Sequence, residues 1–152
     1  MKNDIVARWL KNYVGPSRYR EYFWGYYDFS NGKIKQNVGA VYGIWMKANQ
    51  AELDEYKNMY KKSLNSFKGY IPLYWGKDVS PCARLGVHLE KINNTGSLDL
   101  INSIYAGRKI IFGCVLTKEY EAIEKKLYED YPPKAGADYK IGRRPAKRKI
   151  LE

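Results

Sequence analysis

Apolar and polar positions along this chain switch between two periods, and the switches mark its elements. In DIVARWLKNYV, residues 4–14, Ile5, Trp9 and Tyr13 recur four apart, which predicts a short helix with one apolar side. VGAVYGIWMK, residues 38–47, is rich in β-formers and reads as a strand. QAELDEYKNMYKKSLNSF, residues 50–67, returns to helical spacing through Leu53, Tyr56, Met59, Tyr60 and Leu64, with acids ahead of lysines, so this helix packs one face on the body. GYIPLYWGK, residues 69–77, is a second strand in which Pro72, lacking an N–H to donate, marks an edge position or a bulge.

Ser80-Pro81 has the form of an N-cap followed by proline in the first helical position, and opens a helix reaching about Ile92, before Asn93-Asn94 and Thr95-Gly96. SLDLINSIYAG, residues 97–107, offers a further short helix. KIIFGCVLT, residues 109–117, is the clearest strand, and EYEAIEKKLYEDY, residues 119–131, is a helix stopped by Pro132-Pro133. From the first strand onward the order is β, α, β, α, a short α, β, α, which predicts a small α+β domain with a three-stranded sheet. Residues 1–37 stand before it as an aromatic and basic extension, and residues 141–152 follow it as a basic tail.

Composition narrows the partner. The chain has 152 residues, enough for one domain with its own core, and its formal charge of +11 with a pI near 9.5 favours a polyanion. Fifteen tyrosines and four tryptophans supply stacking faces between cations, which favours nucleic acid; ordinary solubilising charge is the competing reading. Arg18 and Arg20, interleaved with Tyr19, Tyr22 and Trp24, serve either as nucleic-acid contacts or within an aromatic lid over the core. Arg143, Arg144, Lys147, Arg148 and Lys149 in the tail suit non-specific phosphate binding or a solvated terminus. No apolar run approaches the ~20 residues of a membrane helix, and the first residues lack a signal-peptide core, so a cytoplasmic protein without a membrane partner is expected. Cys82 and Cys114 belong to no Cys-x-x-Cys pair and read as buried thiols.

The candidate chemistry lies in two tyrosine-glycine pieces and two helices. Tyr42 in GAVYG and Tyr74 in YWG sit on consecutive strands. Arg84 and the only histidine, His88, share a helix face at i and i+4, and Glu121 and Glu124 lie on the last helix. A carboxylate to hold Mg²⁺, an arginine to stabilise phosphoryl charge and a tyrosine or histidine to move protons are the parts of a metal-assisted phosphodiester hydrolase.

These residues resemble the GIY-YIG nuclease family. Gly39-Ala40-Val41-Tyr42 stands where the first half-motif would be, and Tyr74-Trp75-Gly76 stands for the second, with Trp75 replacing the usual aliphatic residue. Arg84 and His88 have the family's arginine-x₃-histidine spacing, and Glu124-Lys125-Lys126-Leu127 looks like its late metal-binding helix. The resemblance covers about residues 38–140. It implies an antiparallel three-stranded sheet flanked by helices, with residues 48–68 as a helical insertion between the first two strands. It further implies a Mg²⁺- or Mn²⁺-dependent DNA endonuclease without a small-molecule cofactor, in which Tyr42, with His88, activates water. Tyr74 then positions water or phosphate, Arg84 stabilises the transition state, Glu124 holds the metal, and Lys77 is either a phosphate contact or a plain exposed lysine.

The chain also departs from the family. Tyr42 and Tyr74 lie 32 residues apart, which the insertion explains and which resembles restriction-enzyme members. The asparagine expected after the proline that follows the glutamate helix is absent, with Asp138 as a stand-in. No separate DNA-binding module follows, so target recognition falls to the N-terminal segment, the insertion and the tail; a homodimer or two sequential nicks would give a double-strand cut. A nucleic-acid-binding protein that keeps the fold without cleavage is the alternative, and a small protein binding RNA or an acidic partner through its charge is a third.

Overall fold

The computed structural model describes residues 5–15, 22–24 (backbone only), 39–78 and 107–134. Along the chain these form α1 (Ile5–Val14), β1 (Tyr22–Trp24), β2 (Ala40–Lys47), α2 (Gln50–Tyr60), a 3₁₀ turn (Asn65–Phe67), β3 (Tyr70–Asp78), β4 (Ile110–Leu116) and α3 (Tyr120–Asp130). The three long strands form an antiparallel sheet with β2 between β4 and β3, as an α+β domain with an insertion after its first long strand requires. The short strand β1 extends this sheet beyond β4, pairing Tyr22 with Val115 and Trp24 with Gly113. The aromatic stretch before residue 38 thus supplies an edge strand; the side chains of Arg18, Arg20, Tyr22 and Trp24 lie outside the described residues.

β2 is buried at every position from Ala40 to Met46, which explains its unbroken apolar run: a central strand covered on both faces has no solvent side to alternate toward. β3 lies at the edge, and the register shifts between Ile44, opposite Tyr74, and Trp45, opposite Pro72, leaving Leu73 as the extra residue. Pro72 therefore sits both on an edge strand and at a bulge, the places where a residue without an N–H is tolerated.

α1 crosses the sheet over β4. Gly113 makes this approach possible, because a Cβ there would come within 2.5 Å of the Ala7 nitrogen and 2.8 Å of the Val6 Cβ. Val6, Ala7, Leu10 and Val14 are its buried row, while Ile5, Trp9 and Tyr13, the row singled out by spacing, flank it half-buried. Trp9 joins Trp45, Phe67, Trp75 and Tyr131 in an aromatic core: it stacks on Trp75 at 5.5 Å and meets Trp45 edge-on at 5.7 Å. Trp75 Nε1 donates to the Tyr131 carbonyl at 2.8 Å. Trp45 Nε1 has no hydrogen-bond acceptor among the described residues, and its ring stands at 90° to Trp75.

α2 begins with a capping box, in which Asn49 Oδ1 accepts from the Glu52 N–H while Glu52 accepts from the Asn49 N–H. It is shorter than the expected 50–67 helix, because Lys61 takes a left-handed conformation (φ 58°) that ends it at Tyr60. Of the row that spacing named, Leu53, Tyr56 and Tyr60 pack on the core and Met59 does not. Only Tyr56 is buried, donating its hydroxyl to the Pro132 carbonyl at 2.8 Å, whereas Met59 is 62% exposed. Cys114 is buried on β4. The helices expected at 80–92 and 97–107, Cys82, and the tail lie outside the described residues. Among the described residues no helix is long and apolar enough to cross a membrane.

Candidate active site

The two tyrosines of the split motif lie on one face of the sheet. Tyr42 is opposite Gly76 on β3 and Cys114 on β4, and Tyr74 is opposite Ile44. Since directly opposed residues share a face, Tyr42, Ile44, Tyr74, Gly76 and Cys114 point away from the face that holds Gly43, Trp45, Trp75 and α1. Tyr42 and Tyr74 are therefore diagonal neighbours rather than a direct cross-strand pair, and their rings stack with centroids 6.2 Å apart and planes at 25°. Both are almost fully buried, at 3% and 2% exposure.

Gly76 is the residue that permits this geometry. The Tyr42 ring lies across it, so that a Cβ would fall 2.6 Å from one ring carbon and nearer still to the carbon that carries the hydroxyl. The tyrosine hydroxyl is thereby directed across β3 above the glycine of Tyr74-Trp75-Gly76. Sequence reasoning treated Gly76 as a marker of the motif; its role as the floor beneath Tyr42 depends on register. Gly39, at the head of the first half-motif, has a comparable constraint: its φ of +93° is left-handed, and the Tyr120 ring of α3 fills the space beside it.

α3 brings Glu124 to the same strand. Its inward row is Ile123, Glu124, Leu127 and Tyr128, and Glu124 is 5% exposed. Two side-chain contacts fasten the helix to β3: Tyr128 donates its hydroxyl to the Trp75 carbonyl at 2.7 Å, and Lys77 Nζ meets Glu121 at 3.3 Å. Glu124 lies between these anchors in sequence, on the turn before Tyr128; the sheet positions that α3 meets, Trp75 through Tyr131, Lys77 through Glu121 and Gly39 through Tyr120, belong to the face opposite that of Tyr42 and Tyr74. Glu121 reaches across to Lys77 on β3 rather than along its own helix. That pairing leaves Lys77 half-buried and engaged, while Glu121 is well exposed, so the bridge contributes little stability.

A third fastening steadies the far end of α3. Tyr13 on α1 donates to Asp130 at 2.6 Å, and Lys126 donates to the same carboxylate oxygen at 2.6 Å. Burial and this hydrogen bond push the Tyr13 phenol well above its ordinary value. Partial burial opposes ionisation of Asp130, yet the bonds from Lys126 and Tyr13 hold its carboxyl below the usual range.

The described structure thus brings Tyr42 and Tyr74 together and packs the Glu124 helix on the strand that carries Tyr74, through positions of the opposite face. Arg84, His88, Arg18, Arg20, Arg143, Arg144, Lys147, Arg148 and Asp138 lie outside the described residues. Among the described residues no group of three or more His, Cys, Asp or Glu side chains is gathered as a metal site. A site built on one carboxylate suits Mg²⁺, which takes oxygen ligands from one or two carboxylates, phosphate and water. Glu124 supplies such an oxygen donor at a position largely withdrawn from solvent. No protein-family model, curated protein or solved structure matches the chain.

Proposed function

We propose that this chain is a cytoplasmic, metal-dependent DNA endonuclease of the GIY-YIG type. The observation that carries the reading is the stacked Tyr42–Tyr74 pair over Gly76, with the Glu124 helix fastened to the same strand. In this mechanism Tyr42, held in a fixed direction by Gly76 and Tyr74, takes a proton from the attacking water with His88. Tyr74 fixes the position of water or phosphate. Arg84 stabilises the charge that develops on the phosphoryl oxygens, since guanidinium presents a forked donor set to phosphate. Glu124 would hold Mg²⁺ or Mn²⁺, which as a Lewis acid neutralises phosphate charge when bound. Restriction-like cleavage fits the α2 insertion, with repair or mobile-element nicking as the next role; this ranking is analogy at the level of the fold. A double-strand cut would come from a homodimer or from two successive nicks.

Supercoiled plasmid incubated with Mg²⁺ tests the proposal. Wild type converts it to nicked or linear DNA, and Glu124→Gln and Arg84→Ala do not. Equal cutting by wild type and Glu124→Gln would remove the metal role from Glu124.

The near-complete burial of both tyrosines favours one second reading, a nucleic-acid-binding protein in which the stack serves packing alone. It predicts tight, salt-sensitive DNA binding by wild type with no cutting.

A further inference from the structure

The end of the sheet away from Gly76 carries a separate cationic platform. There the ends of β2, β3 and β4 are knitted by backbone hydrogen bonds: the Lys47 N–H donates to Lys109 at 2.9 Å, and the Ala48 N–H donates to Gly69 at 3.0 Å. Arg108 strengthens the corner by donating to the Lys47 carbonyl at 2.8 Å and to Glu52 at 2.9 Å. On this frame two exposed lysines converge on one ring, with Lys47 Nζ 5.1 Å and Lys109 Nζ 6.0 Å from the Tyr70 centroid. Gly69 borders the platform, a Cβ there lying 2.9 Å from Lys47 Nζ. Among the described residues neither ammonium group has a carboxylate within ion-pairing distance, whereas neighbouring Arg108 is committed to Glu52. Exposed Lys68, left-handed at φ 55°, adjoins the same corner.

Two ammonium groups directed by one aromatic ring, with no carboxylate partner among the described residues, suit successive phosphates of a polymer. Five strand steps separate Lys47 from Tyr42, a reach of roughly 17 Å at about 3.3 Å per residue. Lys47 also lies on the face of Gly43 and Trp45, opposite Tyr42, so the platform does not serve the phosphate at the tyrosine site. We propose that Lys47 and Lys109, oriented by Tyr70, form a second phosphate-backbone contact that holds nucleic acid outside the tyrosine site. The inference rests on the nucleic-acid reading above but not on cleavage.

The test is fluorescence anisotropy of a labelled DNA duplex across a salt series, with wild type, Lys47→Gln/Lys109→Gln, Lys47→Arg/Lys109→Arg and, as control, the exposed α2 variant Lys57→Gln. Melting curves confirm that each variant is folded. The proposal expects the double glutamine variant to bind more weakly, with its log-affinity against log-salt slope smaller by about 1.8, at 0.9 per lost phosphate contact. The arginine variant and Lys57→Gln keep the wild-type slope. Wild-type binding with an unchanged slope in the glutamine variant overturns the platform and leaves the nucleic-acid reading intact. Loss of slope in a protein that never cuts supports the platform and removes cleavage. Inorganic pyrophosphate displacing duplex at matched ionic strength would reveal a small-anion site and overturn the polymer assignment, and no DNA binding by wild type overturns both readings.

Discussion

Replacing Gly76 by alanine adds one methyl group at the point where the Tyr42 ring crosses β3. The added carbon would lie 2.6 Å or less from the ring, against an optimum near 3.5–4.0 Å for two carbons, so the ring must retreat by roughly 1 Å. Gly76 is not at positive φ, so the backbone accepts alanine, and a Gly→Ala change alone would stabilise by about 0.4–1 kcal/mol. Overpacking at a buried ring costs about 1–3 kcal/mol and opposes that gain. The expected result is a net loss of stability, read in thermal unfolding at about 2–4 °C per kcal/mol for a chain of this size. If Tyr42 is the cause, the same substitution in a Tyr42→Ala background costs nothing, and the two changes couple by about 0.5–3 kcal/mol. A Gly76→Ala protein that melts at or above wild type, or an equal loss in both backgrounds, would refute the proposed floor beneath Tyr42.

Two further predictions concern pH. Glu52 is held below its ordinary carboxyl value by hydrogen bonds from Arg108 and then from the Asn49 N–H, so its contribution is present above the unfolded value of about 4.3 and is lost as pH falls through the lower folded value. The pair is partly exposed, so Arg108→Ala should cost under about 1 kcal/mol at pH 7 in urea denaturation, and less at pH 3. A cost independent of pH would show that Arg108 acts through packing or the Lys47 carbonyl alone. Tyr13 is shifted the other way, by burial and by its bond to Asp130, so its contribution is complete below about pH 10 and is lost as pH rises above that unfolded value. Tyr13→Phe should lose about 1–2 kcal/mol at pH 7 and show a shallower alkaline decline than wild type; parallel declines would contradict the assignment.

Particular residues show how far sequence alone reaches. The strands were legible because β2 and β4 are long β-rich runs, and Pro72 announced both its edge and its bulge through its missing donor. The end of α2 was not legible, because Lys61 takes a left-handed conformation that carries no glycine signal. Met59 fitted the helical period, but α2 meets the body through Leu53, Tyr56 and Tyr60 and leaves Met59 outside, so periodicity overstated its burial. On α1 two adjacent rows are apolar, and spacing selected the row that became the flank. Tyr22–Trp24 became an edge strand from a stretch whose composition fitted a lid or a nucleic-acid contact equally. The tyrosine pair was legible as a motif, but its diagonal stack was not, since no pattern fixes the register of strands separated by an inserted helix. Tyr128, the tie from α3 to the Trp75 carbonyl, lacked any signal beyond its place one turn after Glu124.

The proposed nuclease requires Tyr42 and Glu124 to act in one site. Single-turnover cleavage of a labelled duplex at saturating Mg²⁺ tests it, comparing wild type, Tyr42→Phe, Glu124→Gln and the double variant. Groups that act as a unit are strongly non-additive. The account predicts that each single change slows cutting severely and that the double variant is no slower than the slower single. Independent, multiplicative losses, or wild-type cutting by either single variant, would contradict it.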